Sequence, residues 1–453
     1  MKTAKSWAQN LYERIFETEL LRRIVKNSSY LVSATGITMV LGVLQASFVT
    51  RLIGPALFGL LGSIRTFANI LNRFTSFRIN EMVVRNVRQF EEQGEMEKAA
   101  SVYKLAGLLE ILGALAAFLL IWLLAPWGAS FFGHDEGTAS LWVLYGLVVL
   151  VNMLYESSTG LLQVFDRFRP MAVVNVLQSI FTLTLVIVAW VNNGGLYEIL
   201  WIYVLGKVVG AVGVVGVAFS DAQKTWGTGW WRTPLSALKD HRRGLLRFAY
   251  STNLSSTISI VAKDSELLWV SAFLGTTVAG YYSLALYFIN IMKLPINPLP
   301  KTTYPELSRE IAKGNWDVAR NVLKRGSVLA AVYSLPVALI FVFLGRPMIE
   351  VLSGVAYSPV YNILLLLLIG YTFDNIFFWN RVALLALNRP LYPTIVNFVG
   401  MLIKILAIFM LFDVLGRHTF AAVLSGYFLF TVGLAAWRVY RDLNQRLIEQ
   451  PSQ

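Results

Sequence analysis

Long apolar stretches alternate with short polar segments along almost the whole chain. About 20 apolar residues are what an α-helix needs to cross the hydrocarbon core of a bilayer. Twelve stretches meet this requirement, and they lie near residues 29–50, 57–84, 102–124, 140–164, 170–191, 196–218, 246–273, 277–300, 326–345, 360–385, 391–412 and 418–437. The pattern therefore predicts an all-α polytopic membrane protein with about 12 transmembrane helices.

Composition supports the same class. The chain has 453 residues, of which 56% are hydrophobic and only 14% are charged. A soluble protein of this length could not cover so much apolar surface. Cysteine is absent, which excludes disulfides and thiol chemistry.

The basic residues predict the orientation of the spans. Of the 39 lysines and arginines, 28 lie in the N-terminal segment or in loops after even-numbered spans, and 3 lie in loops after odd-numbered spans. Because cytoplasmic loops are enriched in basic residues, both termini are predicted to be cytoplasmic. The net charge of +13 thus mostly reflects topology, and no nucleic-acid partner is expected.

The chain also carries an internal repeat. RLIGPALFG contains Gly54 and Gly59, and AFLGTTVAG in the second half contains Gly275 and Gly280 with the same spacing. A polar helix follows the next span in each half, at 84–107 and at 305–328. Two halves of six spans would form two lobes related by a pseudo-two-fold axis along the membrane normal.

The repeat predicts the domain organisation. We expect an interfacial helix at 1–28, an N-lobe of spans 1–6 at 29–218, a cytoplasmic linker at 219–245, a C-lobe of spans 7–12 at 246–437 and a cytoplasmic tail at 438–453.

Eight basic residues lie inside predicted spans, where a charge is costly and normally faces a protein interior or a water-filled cavity. Lys207 falls in span six, where we expect structural pairing, as for Glu110 in span three. The other seven are predicted to line a substrate cavity: Arg65, Arg73, Arg78, Lys263, Lys293, Arg381 and Lys404. Arg73 is the least able to reach headgroups, because it lies deepest within the predicted span 57–84.

Intramembrane carboxylates are candidates for coupling transport to an ion. Lys263 and Glu266 are spaced as an i,i+3 pair that would neutralise itself, so that Asp264 is the remaining acid of this segment. Asp374 is either held by Arg381 or titrates alone. Asp264, Asp374 and Glu156 are therefore the predicted ion-coupling residues.

Enzymatic signals are missing from the sequence. There is no G-x-x-x-x-G-K-[ST] loop for ATP. His134, His241 and His418 are scattered through loops without metal-ligand spacing. We therefore expect a protein that is not an enzyme, binds no metal and has no cofactor other than a coupling H⁺ or Na⁺.

Three stretches carry a resemblance to a known family: RLIGPALFG, SAFLGTTVAGYYSLALYFINIMKLPINPLPKTTYPELSRE and YNILLLLLIGYTFDNIFFWNRVALLALNRP. They resemble the polysaccharide flippase family of the multidrug/oligosaccharidyl-lipid/polysaccharide exporter superfamily. The late DVLGRHTFAAVLSGY also resembles it but lacks the usual Gly-Ala-Ala run. The resemblance implies two six-helix lobes that work by alternating access.

The function implied by this resemblance is outward movement of undecaprenyl-pyrophosphate-linked oligosaccharides across the bacterial inner membrane, for assembly of O-antigen or exopolysaccharide. The expected partners are this lipid-linked substrate, membrane lipids, and the polymerase and glycosyltransferases of the same pathway. The protein is expected to act as a monomer.

Two other functions stay open at the level of sequence. A multidrug/cation antiporter of the same superfamily should have an acidic cavity. The spans concerned instead hold seven basic residues against the acids Glu81, Asp264, Glu266 and Asp374. A polytopic glycosyltransferase or polymerase would need large outer loops, whereas the outer loops here are mostly of connector length.

Overall fold

The computed structural model describes residues 19–76, 79–241, 243–245 and 260–449, without the side chains of residues 19–32 and 261. Every regular element in these ranges is helical. Arg78 and residues 1–18 of the predicted interfacial helix lie outside the described residues, as do residues 450–453 of the predicted tail.

The first half of the chain forms seven α-helices within the described part. They are α1 (Glu19–Thr75), α2 (Ile79–Glu92), α3 (Met96–Gly133), α4 (Ala139–Val151), α5 (Tyr155–Val164), α6 (Phe168–Val191) and α7 (Leu196–Trp226). Two short 3₁₀ turns, Trp230–Arg232 and Leu235–Leu238, follow α7 in the predicted linker.

The second half, as far as the structure describes it, begins with a π-helical turn at Ile260–Asp264. Seven α-helices follow: α8 (Glu266–Lys293), α9 (Leu299–Ala312), α10 (Trp316–Ser353), α11 (Val360–Ile376), α12 (Asn380–Ala386), α13 (Leu391–Leu415) and α14 (Thr419–Glu449).

The predicted spans are recovered in these helices. Nine helical segments of the described chain are long and apolar enough to cross a membrane. Three of the nine each cover all or part of two predicted spans, namely Ser33–Thr75, Ala262–Lys293 and Leu391–Glu449. Residues 246–259 of the predicted span 246–273 lie outside the described residues. The protein is therefore a multi-pass membrane protein, and its described part is all-α, as predicted.

The second predicted span is shorter than the sequence indicated. We expected 57–84, but α1 ends at Thr75, and the separate amphipathic helix α2 starts at Ile79. One face of α2 is fully buried against the rest of the first half, at Ile79, Met82, Val83, Val87 and Phe90. The sequence did not reveal this break, because the apolar residues on the buried face of α2 continue the apolar pattern of α1.

The internal repeat is visible in the backbone. Five residues with positive φ in the first half each have a counterpart at the equivalent place in the second half that also has positive φ. The pairs are Gly54 with Gly275, Gly94 with Gly314, His134 with Gly354, Asp166 with Asn388, and Asn193 with Gly416. Because positive φ is uncommon outside glycine, five matched pairs confirm that the two halves repeat one chain path.

The turn that closes α2 shows how closely the halves correspond. Gly94 donates to the carbonyl of Glu91 at 3.0 Å, and Glu95 donates to that of Phe90 at 2.8 Å. After α9, Gly314 and Asn315 make the same two bonds to Ile311 and Glu310, at 3.0 and 2.9 Å. Both are glycine C-caps of the Schellman type.

The described chain separates into two compact units. The first contains the described residues of Met1–Phe48, Leu71–Leu124 and Ser140–Ser251. The second contains those of Val49–Ile70, Ala125–Ala139 and Thr252–Gln453. Two short segments from the first half of the sequence are thus part of the second unit.

Candidate functional site

A cavity of about 420 Å³, lined by polar and apolar residues, lies inside the second unit. Its polar lining residues are Lys263, Asp374, Asn380, Arg381 and Asn397, together with Thr431. We call this space the basic cavity. The charged and amide residues come from four separate elements: the π-helical turn, α11, the start of α12, and α13. Lys263, Asp374 and Arg381 were predicted as site residues from the sequence.

Asp374 is held by a lysine of the neighbouring helix. The Nζ atom of Lys293 in α8 donates to the Asp374 carboxylate at 3.1 Å, and both side chains keep about a fifth to a quarter of their surface exposed. The sequence-based suggestion that Arg381 holds Asp374 is therefore wrong. Three cations, Lys263, Lys293 and Arg381, therefore lie at or next to the basic cavity, and Asp374 is the acid among its lining residues.

Aromatic rings lie against the two lysines. Lys293 Nζ is 4.8 Å from the centre of the Tyr371 ring, and Lys263 Nζ is 5.4 Å from that of Phe428. The two rings contact each other, with centroids 4.6 Å apart. A ring face attracts an ammonium group without neutralising it. The rings therefore stabilise both lysines without neutralising them. The charge of Lys263 remains available to a ligand, whereas that of Lys293 is paired with Asp374.

The π-helical turn Ile260–Asp264 places Lys263 at the cavity. Single π-turns next to α-helices are rare and are frequent at functional sites, because they shift side chains out of helical register. Asp264, the last residue of the turn, has an exposed side chain. Glu266 lies at the first position of α8 and is buried.

Lys404 does not belong to the basic cavity. Its ammonium is bonded to the Glu266 carboxylate and donates to the backbone carbonyl of Ala262 at 2.6 Å. Only 5% of the Lys404 side chain and 2% of the Glu266 side chain are exposed. The prediction that Lys263 pairs with Glu266 is wrong in this geometry, and Lys404, which was predicted to bind substrate, lies outside the basic cavity. Lys404 neutralises a buried acid and ties α13 to the start of α8.

The arginines of α1 lie in different surroundings from those expected. Arg73 is exposed and lies in the last turn of α1, two residues before the helix ends, so it is not deep within a span. Arg65 is also exposed and is part of the second unit.

A second polar cavity, of about 190 Å³, lies within the first unit and is lined by Glu110, Asn152, Glu156 and Lys207 among others. Glu110 accepts hydrogen bonds from the backbone amides of Glu156 at 2.7 Å and Ser157 at 2.9 Å. It thereby caps the first turn of α5. Glu110 is structural, as expected, although its partners are amides.

Sequence reasoning missed several residues of the basic cavity. Asn380 carried no signal of its own, although it directly precedes Arg381. Tyr371 and Phe428, which lie against Lys293 and Lys263 next to the cavity, had the appearance of ordinary core aromatics. The one signal in the π-turn region was the density of charge, since Lys263, Asp264 and Glu266 fall close together in an apolar stretch.

Comparison with known proteins gives the fold and the family. An inward-facing multidrug resistance MATE family transporter of the MOP superfamily superposes with a TM-score of 0.73 at 13% identity, covering 91% of this chain and 96% of that one. The lipid II flippase MurJ in an inward closed conformation gives 0.66 at 14% identity, covering 92% and 89%. These likenesses establish the fold.

Sequence relationships are closer. The inner membrane protein YghQ of Escherichia coli (strain K12) is 24% identical over 349 residues, which is 77% of this chain and 98% of that protein. The MatE family model matches residues 266–410. The family model described as polysaccharide biosynthesis protein matches residues 24–311, more than half of the chain. The chain therefore belongs to the polysaccharide biosynthesis protein family, and its fold is that of the MOP-superfamily transporters.

Proposed function

We propose that the protein is a flippase for an anionic lipid-linked oligosaccharide, with undecaprenyl pyrophosphate as the lipid carrier. It moves this substrate from the cytoplasmic to the outer leaflet of the bacterial inner membrane by alternating access. The product feeds surface polysaccharide assembly. The protein does no covalent chemistry, and both of its termini are cytoplasmic.

The observation that carries this proposal is the charge of the basic cavity. Asp374 is occupied by Lys293, so Lys263 and Arg381 give the remaining space an excess of positive charge. An anion is the ligand that such a space stabilises, because Coulomb interactions are strong where water is scarce. The family match to polysaccharide biosynthesis proteins supports a sugar-linked substrate.

Each cation suits one part of a pyrophosphate headgroup. The guanidinium of Arg381 can form two parallel, charge-assisted hydrogen bonds to phosphate oxygens. Lys263 adds a point charge of less fixed geometry. Asn380 and Asn397 offer amide groups of the kind that hydrogen-bond sugar hydroxyls. The polyprenyl chain stays in the lipid phase.

Coupling to an ion follows from the same geometry. An incoming phosphate competes with Asp374 for Lys293, and the released carboxylate can then take up H⁺ or Na⁺. Asp264 and Glu156 are the other proposed coupling residues. Asp264→Asn should remove the dependence of transport on pH or sodium while leaving the membrane level of the protein unchanged. An unaltered ion dependence would exclude Asp264 from coupling.

Binding of polyprenyl pyrophosphate to detergent-purified protein tests the proposal. We expect Arg381→Ala to weaken binding by about tenfold or more, since a hydrogen bond to a charged group contributes about 1.5–3 kcal/mol. Arg389→Ala is the matched control, because Arg389 pairs with Asp442 outside the basic cavity. In that variant Asp442 keeps Arg438 at 3.0 Å. Equal affinities of the two variants would contradict the anion site.

The alternative is a cation antiporter of the same superfamily. The observation in its favour is the cavity of the first unit, where Glu110 and Glu156 both line the space. An antiporter should expel a fluorescent organic cation from loaded proteoliposomes against a proton or sodium gradient. Efflux that Glu156→Gln abolishes and Arg381→Ala leaves intact would favour this function.

A further inference from the structure

Arg51 joins the first half of the sequence to the second. Its guanidinium Nε donates to the backbone carbonyl of Leu352 at 3.1 Å, and its Nη2 donates to that of Val351. These carbonyls lie in the last turn of α10, where helical hydrogen bonding runs out and the helix dipole is negative. Tyr357, just beyond α10, donates in return to the carbonyl of Thr50 at 3.3 Å.

A second connection runs in the opposite direction, from α8 in the second half to the end of α3 in the first half. Ser271 Oγ donates to the backbone carbonyl of Phe132, near the end of α3, at 2.7 Å. His134, just beyond α3, lies with Nε2 2.7 Å from the carbonyl of Ser271. Only the tautomer or charge state with a proton on Nε2 can donate this bond.

The internal repeat makes these two connections equivalent. The offset that pairs Gly54 with Gly275 also pairs Thr50 with Ser271, and the offset that pairs His134 with Gly354 also pairs Phe132 with Leu352. In each case a long helix of one half reaches the end of a long helix of the other half, and a residue beyond that end donates back.

We call these residues the crossed clasp. Its members from the first half of the sequence are Thr50, Arg51, Phe132 and His134, and its members from the second half are Ser271, Val351, Leu352 and Tyr357. All of them lie within the second unit. The clasp is therefore a set of contacts inside one compact body.

Two close glycine contacts lie near the crossed clasp and also join the two halves of the sequence. A Cβ added to Gly59 would overlap the backbone oxygen of Thr276, and one added to Gly280 would overlap that of Pro55. The contact is reciprocal, as at an axis of two-fold symmetry. The second glycine of each repeated motif, Gly59 or Gly280, is thus explained by close packing, whereas the first, Gly54 or Gly275, has positive φ and open space around it.

We propose that the crossed clasp is a gate of the transport cycle, closed in this structure, and that Arg51 is its positioning residue. The topology predicted from the basic residues puts the clasp on the outer side of the membrane, where release of the substrate requires an opening. This proposal depends on the proposed function in one respect, which is that the protein must alternate between two conformations.

The contacts are suited to repeated breaking. Arg51 is exposed, and its guanidinium and the Ser271 hydroxyl donate to carbonyl groups near the ends of α10 and α3. Water can satisfy these terminal carbonyl groups once the clasp opens, whereas Thr50, Ser271 and Tyr357 are buried here and need new partners or water in the open state. Each of these bonds runs between the two halves of the sequence, so opening the clasp breaks none of the hydrogen bonds within either half.

The natural absence of cysteine permits a distance measurement without background. Spin labels at Glu136→Cys and Val355→Cys, both exposed, report the separation of the segments that follow α3 and α10. In purified protein, Arg51→Ala should raise the ratio of open to closed distances by about tenfold, the effect of losing two weak hydrogen bonds. Arg51→Lys, which can still donate to the end of α10, should recover part of the closed population. An unchanged distance distribution in Arg51→Ala would overturn the gate.

Cross-linking provides the second readout. A short bis-methanethiosulfonate joining Arg51→Cys to Val351→Cys should stop transport, and a reducing agent should restore it. The same reagent on Arg346→Cys and Glu350→Cys, which are one turn apart within α10, should leave transport unchanged. Transport at the unlinked rate by the 51–351 cross-linked protein would also overturn the gate. If no variant moves a lipid-linked sugar, the proposed function fails, while the distance measurement still decides the gate.

Discussion

Lys263, Arg381 and Lys404 look alike in the sequence, since each is a cation within an apolar helix. The structure separates them by their partners. Lys404 is buried on Glu266, whereas Lys263 and Arg381 line an open space. The type of these residues and their position within predicted spans therefore indicated that the charges have a structural or functional role. They could not predict which of them another helix, distant in sequence, had already neutralised.

The buried pair of Glu266 and Lys404 should prove structural. Lys404→Met leaves an uncompensated buried carboxylate, which costs about 3–5 kcal/mol, so the thermal midpoint of the purified protein should fall clearly. Replacing both residues, as Glu266→Leu with Lys404→Met, should recover most of the loss, because a well-packed apolar pair often matches a buried ion pair. Differential scanning fluorimetry measures the midpoints.

Transport and binding measurements on the double variant distinguish a structural role of Lys404 from a substrate-binding role. A double variant that is stable and transports normally confirms that Lys404 does not hold substrate. A stable double variant with weakened pyrophosphate binding would return Lys404 to the substrate site.

At the scale of elements, sequence reasoning succeeded where a pattern is local. Span positions, the two polar helices and the glycine repeat all follow from hydrophobic length and spacing. Sequence reasoning failed where contacts between elements that are distant in sequence determine the local structure. The break between α1 and α2 has no composition signal, because apolar residues continue across it. In the region of the π-turn the density of charge was a signal, but it did not indicate the shape of the turn.

Two glycine substitutions should have opposite effects on stability. Gly94 has φ of +76° and open space around it, so Gly94→Ala should destabilise by about 1–2 kcal/mol through backbone strain alone. Gly216 lies inside α7 with equally open space, so Gly216→Ala should stabilise by about 0.5–1 kcal/mol through helix propensity. Thermal unfolding of both variants checks the signs. A neutral Gly94→Ala would show that the turn after α2 is not required in this conformation.

For the whole molecule, orientation follows from the basic residues. Glu136→Cys lies in an outer loop of the predicted topology and Gln93→Cys in a cytoplasmic turn, and both positions are exposed. In intact cells a membrane-impermeant maleimide should label the former and not the latter, until permeabilisation exposes both. The opposite labelling pattern would reverse the topology and with it the direction of transport.

The repeat gives the whole chain a simple organisation. One chain path of six spans occurs twice, and segments of the two copies are joined within the second unit by the crossed clasp. The polar content of the copies differs, since the first carries the cavity with Glu110 and Glu156 and the second carries the basic cavity. We expect anion binding to belong to the second copy, while ion coupling uses Asp374 and Asp264 of the second copy and Glu156 of the first.

The most direct measurement is transbilayer movement of a fluorescent polyprenyl-pyrophosphate oligosaccharide in proteoliposomes, followed by quenching from outside the vesicle. The natural sequence and Arg389→Ala should both move the lipid well above the rate of protein-free vesicles. The Lys263→Ala, Arg381→Ala double variant should fall to that background while remaining folded by thermal unfolding. Full activity of the folded double variant, or no movement by the natural sequence, would contradict the anionic lipid-linked substrate.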